Sequence, residues 1–299
     1  MLPELVAEIA KSTHALGLGN QFELVLVNDG SPDDSWQVIT KLAQEYEFLV
    51  GVSLRKNFGQ HSAIMAGLHY VHGEIVIVMD DDLQHPPEEI GKLLAAIDAG
   101  SDVCYVRYQG RKHALWKILG SGFNDLVATW LLGKPRGLYL SSFKALREGI
   151  VQEVIKYDGP YAYLDGLILD VTRAIAVVDI RHRARREGRG NYNLRRSISL
   201  WLRMATSFSV FPLRFATMLG LGLSLVSLIV ITVVLVQRLR HPDWPVGWAS
   251  LLATILFVGG VQTFCIGLVG EYLGRAYLRI NGKPQFVVGA VTPNGATRR

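Results

Sequence analysis

The sequence predicts an α/β domain, a mostly parallel sheet with helices on both faces, followed by two membrane-spanning helices. Three observations predict it. Short apolar runs alternate with helical patterns through about residue 190, the arrangement that gives parallel strands and crossover helices. One of those runs ends abruptly in three carboxylates, Asp80-Asp81-Asp82. Two later stretches, 215–237 and 248–270, each hold 23 positions without an acidic or basic residue.

The elements follow in order. A helical pattern over 3–16 opens the chain, and its polar-amphipathic start lacks the 7–15-residue apolar core of a signal peptide. The run 22–27 (FELVLV) reads as the first strand, 33–46 as a helix and 48–53 (FLVGVS) as the second strand. A helix over 60–72 leads to the third strand, 74–79 (EIVIVM), whose apolar continuity marks it as buried. Pro86-Pro87 then starts a helix over 87–99, and 102–106 (DVCYV) is the fourth strand.

Ligands in such sheets sit beyond the carboxyl ends of the strands. Asn28-Asp29-Gly30-Ser31, Arg55-Lys56-Asn57-Phe58-Gly59 and Asp80–Gln84 each follow a strand, so all three should line one rim. If the strand geometry continues through the acidic triplet, Asp80 and Asp82 share one side and Asp81 takes the other. Two carboxylates there make a hard-oxygen site for Mg²⁺ or Mn²⁺, with waters and substrate phosphates as the remaining ligands. A solvated turn with a helix cap is the alternative, and mutual repulsion of three adjacent charges weighs against it.

Each 23-residue span is long enough to cross roughly 30 Å of hydrocarbon as a helix. Seven Arg or Lys residues flank the spans on their outer ends, against Arg238 and Arg240 in the connecting loop. Both termini are therefore expected on the cytoplasmic side. Eight arginines lie between Arg181 and Arg203 against one acid, Glu187. Placed before a membrane helix, they suit anionic headgroups or a phosphate-bearing substrate. Nucleic acid is not expected as a partner, since no recognised nucleic-acid module is present. Residues 194–213 mix arginines with Leu, Ile, Trp and Phe, as an interfacial helix would. Two cysteines, Cys104 and Cys265, give neither a disulfide framework nor a metal site. The polar, small-residue tail after 289 is expected to be disordered.

Four segments together, VNDGSPDDS (27–35), LRKNFGQHSAIMAG (54–67), MDDDLQHPPEEI (79–90) and GEYLGRAY (270–277), resemble the polyprenyl-phosphate glycosyltransferases of glycosyltransferase family 2. The resemblance covers nearly the whole chain and implies a GT-A (Rossmann-like) domain over 1–190. It also implies a juxtamembrane amphipathic helix over 191–214, spans at 215–237 and 248–270, and a cytoplasmic interfacial segment and tail over 271–299. The implied activity is inverting transfer of one sugar from a nucleotide-sugar, UDP-linked, to undecaprenyl phosphate at the bacterial inner membrane. The partners are then the nucleotide-sugar, the polyprenyl phosphate, membrane lipid and a second copy in a homo-oligomer. By the same resemblance Asp29 and Asn57 serve the nucleotide, and Asp80 and Asp82 bind metal and donor diphosphate, with Gln84 beside them. Arg107, Arg111 and Arg185 would meet the acceptor phosphate, their guanidinium forks suiting it. Asp165, in Tyr161-Ala162-Tyr163-Leu164-Asp165-Gly166, matches a general base that opens a helix. A plain helix cap is its other reading, and Asp158 and Asp170 are alternatives.

Three departures accompany the resemblance. Family members begin with a strand and P-x-Y-N-E-E, whereas this sequence starts inside the following helix. Asn191 replaces the Lys of an S-K pair. Leu138 stands where related enzymes carry an Asp. These departures keep open a catalytically silent membrane scaffold binding lipid phosphate. A processive polysaccharide synthase is disfavoured by the absence of Q-x-x-R-W.

Overall fold

The computed structural model describes residues 1–19, 21–109, 134–135, 138–181, 211–240 and 247–296. Arg111, Arg185 and the 191–210 part of the expected juxtamembrane helix lie outside them. The chain divides into a unit of residues 1–191 with 282–299 and a second of 192–281.

The first unit opens on helix α1 (Leu2–Ala15), followed by β1 (Leu24–Asn28), α2 (Ser35–Glu45), β2 (Leu49–Leu54), α3 (Gln60–Leu68) and β3 (Ile75–Val78). A 3-10 turn at Pro87–Glu89 runs into α4 (Ile90–Asp98), and β4 (Val103–Gln109) follows. These match the expected elements within a few residues. Beyond them come β5 (Lys144–Arg147), α5 (Glu148–Val154), α6 (Leu164–Val171) and β6 (Ile175–Arg181).

The α/β architecture expected from the sequence is present, with strand pairing that is mixed rather than mostly parallel. With a last strand, β7 (Val288–Val291), the strands form two sheets, β1-β2-β7 and β3-β5-β4-β6. β1–β2 and β4–β6 pair in parallel, while β2–β7, β3–β5 and β4–β5 are antiparallel. β5 is the cause in the second sheet: it enters between β3 and β4 and runs against both. Among the described residues β1 and β3 each have a neighbour on one side only. Their side chains are accordingly half-buried at most positions, whereas β2 is almost wholly buried. Helix α1 touches both of these strand regions, with Leu5 and Ile9 packed against Leu24 of β1 and against Met79 and Leu83 just after β3.

The expected disordered tail is also corrected. Val288–Val291 forms β7 along the outer edge of β2, and Pro293–Ala296 makes a short helix, α9. The Gly51 amide donates to Thr292 Oγ1 at 2.9 Å, and the Asn294 side-chain amide donates to the Ala43 carbonyl at 2.8 Å. Val288 and Val291 join Val50, Val52 and Tyr70 in one apolar cluster. Short polar-looking segments of this kind take structure from the edge they cover rather than from their own propensity.

The second unit holds α7 (Phe211–Arg240) and α8 (Trp248–Ile280), which contain the expected spans. Both helices are long and apolar enough to cross a membrane, through Leu213–Val230 and Phe257–Ile280. α8 continues unbroken past residue 270, where Arg275 Nη2 pairs with Glu271 at 2.8 Å one turn earlier.

Candidate functional site

The three loops expected at one rim are joined by hydrogen bonds. Asp29 follows β1 and accepts the Phe58 amide at 2.7 Å and the Gly59 amide at 2.8 Å. Asn28 holds the same turn, donating to Ser53 Oγ and accepting from the Ser31 amide. Gly30 has φ +64°, and a Cβ there would meet the Lys56 carbonyl carbon at 2.5 Å. Only glycine lets these two loops close on each other. Asn57 sits exposed in the second loop. From the start of α3, Gln60 Nε2 reaches the third loop and donates to Asp80 Oδ1 at 2.8 Å.

The acidic triplet differs from its expected geometry. β3 ends at Val78, so strand alternation does not govern Asp80–Asp82, which lie in a tight turn. Leu83 takes φ +59°, left-handed for a residue with a branched side chain, at a cost of about 1–2 kcal/mol. Burial of its side chain against Leu5 and Ile9 offsets that strain. The turn then folds back on itself, with the Gln84 amide donating to Asp82 Oδ1 at 3.1 Å. Asp81 is surface-exposed, yet partial desolvation and the charges of Asp82 and Asp80 raise its carboxyl above the usual range.

Asp80 is the most heavily held of the three. Ser142 Oγ donates to its Oδ2 at 2.7 Å, and its own amide donates to His85 Nδ1 at 2.9 Å. His85 is buried and lies parallel to the Phe143 ring at 5.1 Å. Burial lowers its pKa, outweighing the opposing pull of Asp80 and Asp82, so the ring stays neutral. Gln60, His85 and Ser142 are site residues that the sequence reading missed. Among the described residues no three His, Cys, Asp or Glu side chains gather to hold a metal. Asp80 and Asp82 in one turn are hard oxygen donors, the chemistry a divalent ion takes when its remaining ligands come from substrate oxygens.

A second locus is buried beside the first. Lys144 Nζ pairs with Asp165 Oδ1, and Tyr105 OH donates to the same oxygen at 2.9 Å. Asp165 stands in the first turn of α6, as the resemblance implied, but is 7% exposed. Burial first, and the Asp165 charge second, push the Tyr105 hydroxyl far above its ordinary pKa, so it stays a donor. His61, next to Gln60 on α3, meets the Tyr163 ring at 4.9 Å. Burial lowers its pKa more than Asp165 raises it, and its Nδ1 has no hydrogen-bond partner among the described residues. Ser142 and Lys144, two residues apart, thus serve the two loci. Arg107 lies elsewhere on β4, its fork filled by Asp179 at 2.6 and 2.9 Å. Leu138 is buried and carries no titratable group, and its carbonyl accepts from Lys134 Nζ.

Comparison with known proteins gives a consistent kinship. The glycosyl transferase family 2 profile matches residues 1–148, and the GtrB C-terminal hairpin profile matches 211–276. The undecaprenyl-phosphate 4-deoxy-4-formamido-L-arabinose transferase of Salmonella paratyphi B is 32% identical over 290 residues, covering 96% of this chain and 88% of that protein. The same enzyme of Salmonella paratyphi A is 31% identical over the same shares. Among solved structures, glucosyl-3-phosphoglycerate synthase from Mycobacterium tuberculosis, in complex with Mn²⁺, UDP-glucose and phosphoglyceric acid, aligns with TM-score 0.44 and 20% identity. That alignment covers 62% of this chain and 67% of the other.

Proposed function

The chain belongs to glycosyl transferase family 2, among relatives that are undecaprenyl-phosphate sugar transferases, and from that premise we propose that it transfers a single sugar from a UDP-linked donor to undecaprenyl phosphate with inversion. It is a glycosyltransferase with the mixed α/β architecture of the GT-A class. The observation that carries the substrate reading is the joining of Asp29, the Asn57–Gly59 loop and Asp80 at one rim, next to the buried Lys144–Asp165 pair.

In this reading Asp29 and Asn57 face the nucleoside, and Gln84 flanks the donor diphosphate. Asp80 and Asp82 hold Mg²⁺ or Mn²⁺, which supplies Lewis-acid neutralisation of the departing diphosphate. Asp165 is the candidate base, with Lys144 balancing its charge. An acceptor that is already an anion asks little of a base, so positioning and charge neutralisation carry most of the rate. Arg107, Arg111 and Arg185 are assigned to the acceptor phosphate. For Arg107 this requires exchange of Asp179 for phosphate, both of which suit a guanidinium fork.

The test is transfer by the full chain in detergent, with a panel of UDP-sugars and undecaprenyl phosphate. The expected product is a lipid phosphate heavier by one sugar. A product carrying several sugars, or no transfer from any UDP-sugar, would overturn the proposal.

We assign the protein to the bacterial inner membrane, with both termini cytoplasmic and the 238–247 loop outside. This follows from the seven-against-two basic bias. Single cysteines at Asp243 and Asn281, with Cys104 and Cys265 replaced, should label oppositely with an impermeant thiol reagent in sealed cells. Position 243 is expected to react and 281 to stay protected; the opposite pattern inverts the topology.

A further inference from the structure

One closed ring of hydrogen bonds begins and ends on Asp80. Its amide N–H donates to His85 Nδ1 at 2.9 Å, which leaves the ring proton on Nε2. His85 Nε2 lies 3.3 Å from Ser142 Oγ, whose own proton goes to Asp80 Oδ2 at 2.7 Å. The hydroxyl accepts from the imidazole and donates to the carboxylate, so every donor in the ring has an acceptor. The direct His85 Nε2–Asp80 Oδ2 distance is 3.7 Å, too long for a hydrogen bond, so the serine is the necessary link. His85 cannot drift, being 4% exposed and parallel to both Phe143 and Tyr108. The ring therefore ties the Asp80 side chain to the Asp80 main chain and removes its rotamer freedom. Among the described residues the other carboxylate oxygen accepts from the exposed Gln60 amide, a partner that can be exchanged.

We propose that His85 and Ser142 are positioning residues that lock Asp80 in the orientation that binds the divalent cation, while Gln60 holds the oxygen that the cation shares. This rests on the reading of Asp80 as a metal ligand. Partners that orient a ligand in this way usually change metal affinity without touching the ion. Asp82, for its part, accepts the Gln84 amide within the turn.

The experiment titrates Mn²⁺ into the detergent-solubilised full chain with UDP present, reading free Mn²⁺ by electron paramagnetic resonance. Thermal unfolding of each variant is followed by circular dichroism. Ser142→Ala should weaken Mn²⁺ binding by ~10–100-fold with little change in unfolding temperature. Ser142→Thr, which keeps the hydroxyl, should restore binding close to wild type. His85→Gln, which has no acceptor at the Nδ1 position and lacks the ring that Phe143 and Tyr108 hold in place, should behave like Ser142→Ala, and Gln60→Ala should lose less than either. Wild-type Mn²⁺ affinity in both Ser142→Ala and His85→Gln would overturn the positioning role while leaving the metal site standing. Equal Mn²⁺ binding by wild type and Asp80→Asn would overturn the metal reading and this inference together.

Discussion

Asp80→Asn should reduce sugar transfer about a thousandfold or more while leaving the fold intact. A carboxylate ligand contributes several kcal/mol of charge stabilisation where the diphosphate departs, and each 1.36 kcal/mol is about tenfold in rate. The carboxamide keeps the shape of the side chain, so Gln60 and Ser142 still find an oxygen or nitrogen at the same place. Asp82→Asn should follow the same course. Asp81→Ala should be tolerated, because Asp81 is exposed and its loss relieves repulsion from Asp80 and Asp82. Rates at limiting Mg²⁺ or Mn²⁺, with unfolding temperatures alongside, decide the matter. An Asp82→Asn enzyme as fast as wild type under those conditions would remove the metal from the mechanism.

The largest stability effect should come from the buried pair. Lys144 is 2% exposed and Asp165 7% exposed, with Tyr105 donating to the same carboxylate. Removing either partner strands a charge in the interior, which costs about 3–5 kcal/mol. Lys144→Met or Asp165→Leu should therefore lower the unfolding temperature by roughly 6–20 °C. The double variant should recover most of the loss, since an apolar pair of similar volume fits a buried site well. It should not recover all of it, because the Tyr105 hydroxyl is left without its acceptor, at about 1–3 kcal/mol. A double variant no more stable than the worse single one would mean that packing, rather than charge, holds this locus.

The elements through β4 were legible because each strand is a continuous apolar run and each helix has its own period. The loops of Asp29 and Asp80 were legible for a related reason: polar residues packed directly after an apolar run have to sit at a strand end. The sheet's mixed pairing was not. β5 is four residues long and takes its direction from β3 and β4, and β7 lies more than 230 residues beyond its partner β2. Strand alternation does not reach Asp80–Asp82 because β3 stops at Val78, and the left-handed turn at Leu83 that follows has no signature in a leucine. Gln60, His85 and Ser142 carried no signal individually. Each is a common polar residue, and only the fold brings an α3 start, a post-β3 turn and a pre-β5 loop together. Asp165 was found through the resemblance to a base that opens a helix, while Tyr105 was hidden in a strand that read as ordinary core and nothing in the sequence pairs Lys144 with that carboxylate.

The docking of β7 on β2 bears on how this protein is made. A ribosome produces residues 1–181 first, then both apolar helices, and only afterwards the strand that covers Val52–Leu54. Until that moment the outer edge of β2 offers unpaired amides and carbonyls to any passing strand. Synthesis of the two apolar helices therefore comes before completion of the sheet, and the nascent N-terminal unit must wait, one strand short, through that interval. A chain stopped after the second helix would leave that edge permanently open, and quality control would meet it as an aggregation-prone intermediate rather than as a shortened enzyme.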